Sequence, residues 1–195
     1  MLFFEVSAQI AEDFMNSRPT TSITTRQAMT ADAALLATLA ATTFSDSFAA
    51  DNSAENMSLY MQKAFGEAVQ RDELADPQRT VYFAEQDGEV VGYTMLHEGP
   101  VPASVGDAAA LEIARLYSVK RTIGTGVGAT LMRRCIDEAA ARGKQTLWLG
   151  VWEHNARAIA FYQRWGFVDV GSQAFVLGQD RQTDRVMVRR VARES

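Results

Sequence analysis

Cysteine is nearly absent from this chain. Cys135 is the single one in 195 residues, so no disulfide can close within the chain and nothing in the composition points to an oxidising compartment. Histidine is almost as scarce: His97 and His154, joined by that one thiol, fall short of a conventional zinc cage, and no metal is expected. Basic charge is not in excess either. Lysine and arginine number 19 against 24 acidic residues, a formal net charge of -5. The arginines are scattered rather than striped, which argues against a cationic field following a phosphate backbone and so against nucleic acid as a partner. No apolar run approaches membrane-spanning length, and the opening Met1-Leu2-Phe3-Phe4-Glu5 has no basic segment before its first acid. The expectation is a cytoplasmic chain with no membrane association.

What the chain does contain is enough apolar residue, 47%, for one α/β core with both faces of a sheet covered. Residues 1–20 read as an N-terminal extension, with a short helical pattern at Val6, Ile10 and Phe14 that ends in Asn16-Ser17-Arg18-Pro19. Residues 21–195 read as a single domain. It opens with a strand near Ser22 to Ala28 and a helix capped by Thr30 that carries Leu35, Leu36, Leu39 and Thr43. A second helix starts at Ser53, with Met57, Tyr60, Met61, Ala64 and Phe65 at helical spacing. Three strands then follow in succession, Thr80 to Glu85, Val90 to Leu96 across the turn Asp87-Gly88, and Ala109 to Ser118. An amphipathic helix from Gly126 to Arg142 has Gly143 at its C′ position, and Lys144 to Trp152 reads as a buried strand. Asn155 caps a helix bearing Ala158, Phe161, Tyr162 and Trp165; Gly166 stops it, and strands Phe167 to Val176 and Arg185 to Arg190 close the chain.

The segment Gly124-Thr125-Gly126-Val127-Gly128-Ala129 sits between a strand and a helix. Glycines there let backbone N–H groups close on a ligand, and the helix start adds unpaired donors, which together suit a phosphate. The same residues satisfy the G-x-G-x-x-A form of the dinucleotide fingerprint. Three features count against that ligand. Val119-Lys120-Arg121-Thr122-Ile123 separates the strand from the first glycine, Lys144 and Gln145 stand where a ribose-binding acid belongs, and three consecutive strands break the β-α-β alternation. No Gly-Lys-Ser/Thr follows, so a P-loop is excluded.

Leu116-Tyr117, a six-residue interval and Gly124-x-Gly126-x-Gly128-Ala129 resemble the acyl-CoA signature of the GNAT N-acetyltransferase superfamily. Asn155-x-x-Ala158-x-x-Phe161-Tyr162-x-x-x-Gly166-Phe167 resembles its second signature, at the right distance downstream. The resemblance spans roughly Ile23 to Val191 and implies an α/β (α+β) GNAT fold, a central mixed twisted sheet of about six to seven strands flanked by about four helices. A narrower likeness, through Thr43-Phe44-x-x-x-Phe48, Tyr60-x-x-x-Ala64-Phe65, Leu149-Gly150-Val151-Trp152-Glu153 and Leu177-Gly178-x-x-x-Gln182-Thr183-Asp184, is to the bacterial Pai-type spermidine/spermine N-acetyltransferases. Ile123 stands where the superfamily usually has glutamine or arginine, and Ser118 where it has an apolar residue. Arg121 is the candidate to replace the missing contact to the diphosphate.

What the resemblance implies is direct transfer from acetyl-CoA, as co-substrate, to a small-molecule amine acceptor, and it leaves a homodimer open. The cofactor site it implies comprises Leu116, Tyr117, Ser118, Gly124, Thr125, Gly126, Val127, Gly128, Ala129, Asn155, Ala158 and Tyr162. Tyr162 is the candidate acid for the departing thiolate, because an ordinary tyrosine keeps its proton at working pH; without the resemblance it reads as a core-edge tyrosine. Glu112 is the candidate general base, with a carboxylate paired to Arg115 as the other reading. Asp46, Asp51, Glu55, Glu98 and Asp107 are expected around the acceptor, where they would favour a polyamine. Cys135 falls on an apolar stripe and reads as a buried thiol rather than a nucleophile. A protein N-terminus, an amino acid or an antibiotic amine are alternative acceptors, and a non-catalytic CoA-binding module is a different class.

Overall fold

The computed structural model describes residues 22–191; the extension expected over residues 1–20, with its Val6, Ile10 and Phe14 pattern, lies outside them. Seven strands form one mixed sheet in the order β1-β2-β3-β4-β5-β7-β6. In chain order these are β1 (Ile23–Gln27), β2 (Arg79–Gln86), β3 (Glu89–His97), β4 (Leu111–Ser118), β5 (Thr146–Trp152), β6 (Val168–Leu177) and β7 (Asp180–Arg190). The α-helices are α1 (Ala33–Phe48), α2 (Ala54–Ala64), α3 (Glu67–Ala75), α4 (Val127–Ala141) and α5 (Ala156–Arg164). Five helices among the described residues exceed the four expected.

Strands β2, β3 and β5 are near-continuously buried, as a sheet covered on both faces requires, whereas β4 is buried at Leu111 and Ile113 and only partly so along the rest of its length. On one face Leu111, Ile113, Leu147 and Leu149 pack under α4 and α5 through Met132, Cys135, Ile159 and Tyr162. On the other, Val81, Phe83, Tyr93 and Met95 pack under α1 and α2 through Leu36, Phe44 and Met57. The hairpin β2–β3 turns at Asp87 (φ 53°) and Gly88 (φ 80°), the pair of positive φ angles that a two-residue turn of the primed type demands. Gly92 lets α4 come down on the sheet: a Cβ there would stand 2.9 Å from Val127 and 2.8 Å from the Tyr117 carbonyl.

Three local expectations change. Thr30 does not cap α1; it lies in a 3-10 turn, Thr30–Asp32, where the Asp32 carboxylate accepts from the Met29 amide at 2.8 Å and holds Arg26 at 2.9 Å. Leu35 faces solvent while Leu36, Leu39 and Thr43 face the core, because consecutive helical positions diverge by about 100°. The last strand begins five residues before the expected Arg185, since Asp180–Asp184 pair with β6 and β5 despite their polarity.

β4 and β5 position everything that follows. They are the parallel pair, and they meet only at Leu111↔Leu147 and Glu112↔Trp148. Beyond Glu112 the two strands part. A bulge sharpens the separation: Met95 of β3 pairs with Arg115 but the next residue, Leu96, pairs with Ile113, which leaves Ala114 as the extra residue on β4.

Candidate active site

The parting of β4 and β5 opens a cavity of about 660 Å³. One end is walled by the glycine turn and α5. Gly124 (φ 87°) and Gly126 (φ 105°) occupy backbone conformations that side chains disfavour, and Gly126 is the N-cap residue of α4. The Thr130 amide makes the first intrahelical bond, to the Gly126 carbonyl at 2.9 Å, so the amides of Val127, Gly128 and Ala129 belong to the first turn that has no helical acceptor. Gly128 faces α5, where a Cβ would sit in ordinary van der Waals contact with the Phe161 ring at 3.6 Å.

Most residues expected to hold the cofactor are brought together here. Leu116, Tyr117, Ser118, Gly124, Gly126, Gly128, Ala129, Asn155, Ala158 and Tyr162 all line the cavity. Thr125 and Val127 do not present side chains to it. The Thr125 hydroxyl donates to the Thr122 carbonyl at 2.9 Å, and Val127 is buried against Ala84, Val91 and Leu131; neither position lines the cavity. Asn155 caps α5, its side-chain oxygen accepting from the Ala158 amide at 3.1 Å. Ile123 lines the cavity with an exposed apolar side chain, and Arg121 does not replace the missing polar contact: its guanidinium turns to Glu89 at 2.6 Å, on the β2–β3 side. The cations that do line this end are Lys120, Arg157 and Arg164. The last two escaped the sequence reading, although Arg157, Phe161 and Arg164 share the i, i+4, i+7 spacing of one helical stripe.

Tyr162 is buried, its ring held edge-on by Phe161 and Phe167 at 5.4 and 5.9 Å. Burial pushes its phenol further above the usual tyrosine range, so it keeps its proton across working pH. Cys135 is fully buried beside the Thr94 hydroxyl at 3.2 Å, and burial lifts its thiol to about 12, which removes it as a nucleophile.

Glu112 needs correction. It sits where β4 and β5 are still joined, its carboxylate 3.0 Å from His97 Nδ1, and it does not line the cavity. Arg115, its expected partner, is instead held by Glu73 of α3 through two bonds of 2.7 and 2.9 Å. The acids expected around an acceptor also disperse. Glu98 is bound to Arg142 and Lys144, Asp107 accepts from the Ala109 amide, and Asp51 and Glu55 stand away from the cavity; Asp46 alone lines it. The carboxylate that joins Asp46 is Asp184 of β7, which the sequence showed only inside a tail motif. Asp184 is half-buried and opposes Trp152 across the β5–β7 pairing, and burial raises its carboxyl to about 6.

Comparison with known proteins bears on this geometry. The model of the acetyltransferase (GNAT) family matches residues 43–167. An uncharacterized N-acetyltransferase in the pepI 3′ region of Lactobacillus delbrueckii subsp. lactis is 39% identical over 142 residues, covering 73% of this chain and 82% of that protein. Among solved structures, the PaiA N-acetyltransferase of Thermoplasma acidophilum in complex with coenzyme A superposes with a TM-score of 0.69 at 19% identity, covering 87% of this chain and 99% of the other. YncA of Salmonella typhimurium, solved with its cofactor acetyl-CoA, gives a TM-score of 0.65 at 20% identity over 90% of this chain and 97% of its own. At such identities these two structures speak for the fold alone.

Proposed function

The chain belongs to the GNAT acetyltransferase family, and from that premise we propose that it moves the acetyl group of acetyl-CoA directly to a primary amine within the cavity between β4 and β5. The observation that carries this reading is the gap itself: past Glu112 the inner edge of β4 has no strand beside it, and the glycine turn stands at its end.

The residues present fit the cofactor. Gly124 and Gly126, both with positive φ, and Gly128 thin out the side chains around the first-turn amides of α4, which suits a diphosphate, and Lys120, Arg157 and Arg164 add charge along the same wall. Recognition therefore rests on main-chain donors plus α5 cations, in place of the side chain that Ile123 lacks. Bound there, acetyl-CoA supplies an activated acyl thioester. Past Glu112 the edge of β4 offers its main-chain N–H groups no β5 partner, which supports a role for them in holding an acyl oxygen, and the bulge residue Ala114 lines the cavity. Tyr162, protonated and lining the cavity, is placed to donate to a departing sulfur. Asn155 orients α5 by capping it. Proton removal from the amine falls to a group inside the cavity or to water rather than to Glu112.

A polyamine acceptor has less support, since only one of the five acids expected for it faces the cavity. Calorimetric titration with acetyl-CoA, CoA and NAD, followed by thiol release over a panel of amines, tests the proposal. Saturable binding of both CoA forms and acetylated product are expected; binding of NAD and not of CoA would refute it.

A further inference from the structure

The acceptor end of the cavity is lined by rings. Phe175 of β6 meets Tyr60 of α2 at 5.4 Å, Tyr60 stacks on Phe44 of α1 at 4.7 Å, Phe44 meets Phe48 at 4.7 Å, and Phe48 meets Trp152 of β5 edge-on at 6.1 Å. All five line the cavity. Asp184 stands at the end of this chain of rings, opposite Trp152 in the β5–β7 register and opposite Gln173 in the β6–β7 register. Gly150 makes room for it: a Cβ there would come within 3.2 Å of the Asp184 carboxylate and 2.8 Å of the Gln173 amide nitrogen.

The charge around the cavity is divided. Arg115, the cation nearest the rings, lies over Phe65 at 5.4 Å and is already occupied by Glu73. Lys120, Arg157 and Arg164 stand with the glycine turn at the opposite end. Among the described residues no cation pairs with Asp184. A half-buried carboxylate beside aromatic faces calls for one positive charge on an otherwise apolar body, because a single ammonium satisfies the acid and the ring faces attract the same cation. A flexible polyamine would carry further charges into apolar walls that offer only Asp46 besides.

Resting on the acetyl-CoA reading above, we propose that the acceptor is a primary amine borne on a flat apolar group, with its ammonium held by Asp184 and its body between Tyr60, Phe175 and Trp152. In this scheme the ammonium gives one proton to Asp184. The C–N bond then forms as the C–S bond of the thioester breaks, the sulfur leaves with the proton of Tyr162, and the second nitrogen proton restores Tyr162 through solvent. Tyr60 of α2 lies within electrostatic reach of Asp184, with Arg115 of β4 and Glu73 of α3 around the same phenol; Asp46 of α1 and the uncharged Gln182 line the same cavity, and Trp152 and Gln173 oppose Asp184 on the neighbouring strands. Burial lifts the Asp184 carboxyl to about 6, so it is an available base at neutral pH.

The test uses the full chain with 2-phenylethylamine, tryptamine, spermidine and a short alanine-ended peptide, kcat/KM being measured across pH with and without Asp184→Asn and Phe175→Ala. The aryl amines are expected to exceed spermidine by at least about tenfold. Asp184→Asn should lower their kcat/KM by about 100-fold and abolish the acid limb near pH 6, with acetyl-CoA affinity unchanged. Phe175→Ala should raise KM for the aryl amines and spare kcat. Preference for spermidine or for the peptide, or a D184N enzyme within threefold of wild type that keeps its acid limb, overturns the assignment. Acetyl-CoA binding with no amine accepted also overturns it and leaves the donor site standing, whereas loss of acetyl-CoA binding in the wild-type chain would bring down the acetyltransfer reading itself.

Discussion

Asp184 costs the fold stability in order to face the cavity. Its carboxyl is raised to about 6, above the value near 4 of an unfolded aspartate. The native state therefore holds a proton that the unfolded chain releases as pH climbs from about 4 to about 6, and stability falls across that window. Replacing the carboxylate by an isosteric amide removes the penalty. Asp184→Asn is expected to raise the melting temperature at pH 7.5, by an amount equivalent to about 1–3 kcal/mol, with the gain shrinking toward pH 4; an unchanged or lowered melting temperature at pH 7.5 contradicts the burial argument. Tyr162 differs, because its proton is kept and nothing charged is buried. Tyr162→Phe should lower kcat by about 100-fold while acetyl-CoA affinity stays within about twofold. Single-turnover and binding measurements on one preparation separate the two effects, and near-normal turnover would remove the tyrosine from the proton path.

Helix α3 shows how an element can matter with little apolar contact, Leu74 being the residue that it packs against the core. Gln70 is its only fully buried side chain, and Glu73 on the same helix holds Arg115 of β4, the two side chains being 14% and 16% exposed. Removing one partner leaves the other charge in the interior, so Glu73→Ala should destabilise the chain by about 3 kcal/mol, read from urea denaturation; a change below about 1 kcal/mol would mean that water reaches Arg115. The same chemistry hid α3 from the sequence reading, which relies on apolar periodicity and expected no helix between Phe65 and the strand at Thr80. Where periodicity or turn chemistry is strong the sequence was legible: α4 with Gly143 beyond it, the Asp87-Gly88 hairpin and Asn155 on α5 stand where expected. The glycine turn was legible for a related reason, since its geometry is written in residue type. Glu112 was misplaced because strand alternation gives the face of a residue and not the point at which two strands cease to pair. Asp184 went unrecognised because its desolvation exists only once Tyr60, Trp152 and Phe175, distant in sequence, close around it.

At the scale of the molecule, the sheet is two hydrogen-bonded halves, β1 to β4 and β5 to β7, sharing two register pairs. The glycine-turn end of the cavity is walled mostly by the β4 edge, the start of α4 and α5; the rings come from α1, α2, β5 and β6. Acetyl-CoA is therefore expected to slow amide exchange chiefly over residues 113–118 and 124–129, leaving β1 and β2 nearly unchanged. Uniform slowing along the chain, followed by mass spectrometry, would show that the halves respond as one body. The shared pairs have a metric consequence. A strand advances by about 3.3 Å per residue, so one added rung beyond Glu112–Trp148 would shift the fork by a step longer than two covalent bonds, and one fewer would shift it as far the other way. On the acetyl transfer proposed for this cavity the extent of pairing is thus a ruler: it would set where acyl carbon and amine nitrogen can coincide, by counting backbone rungs, independently of which side chains wall the cavity.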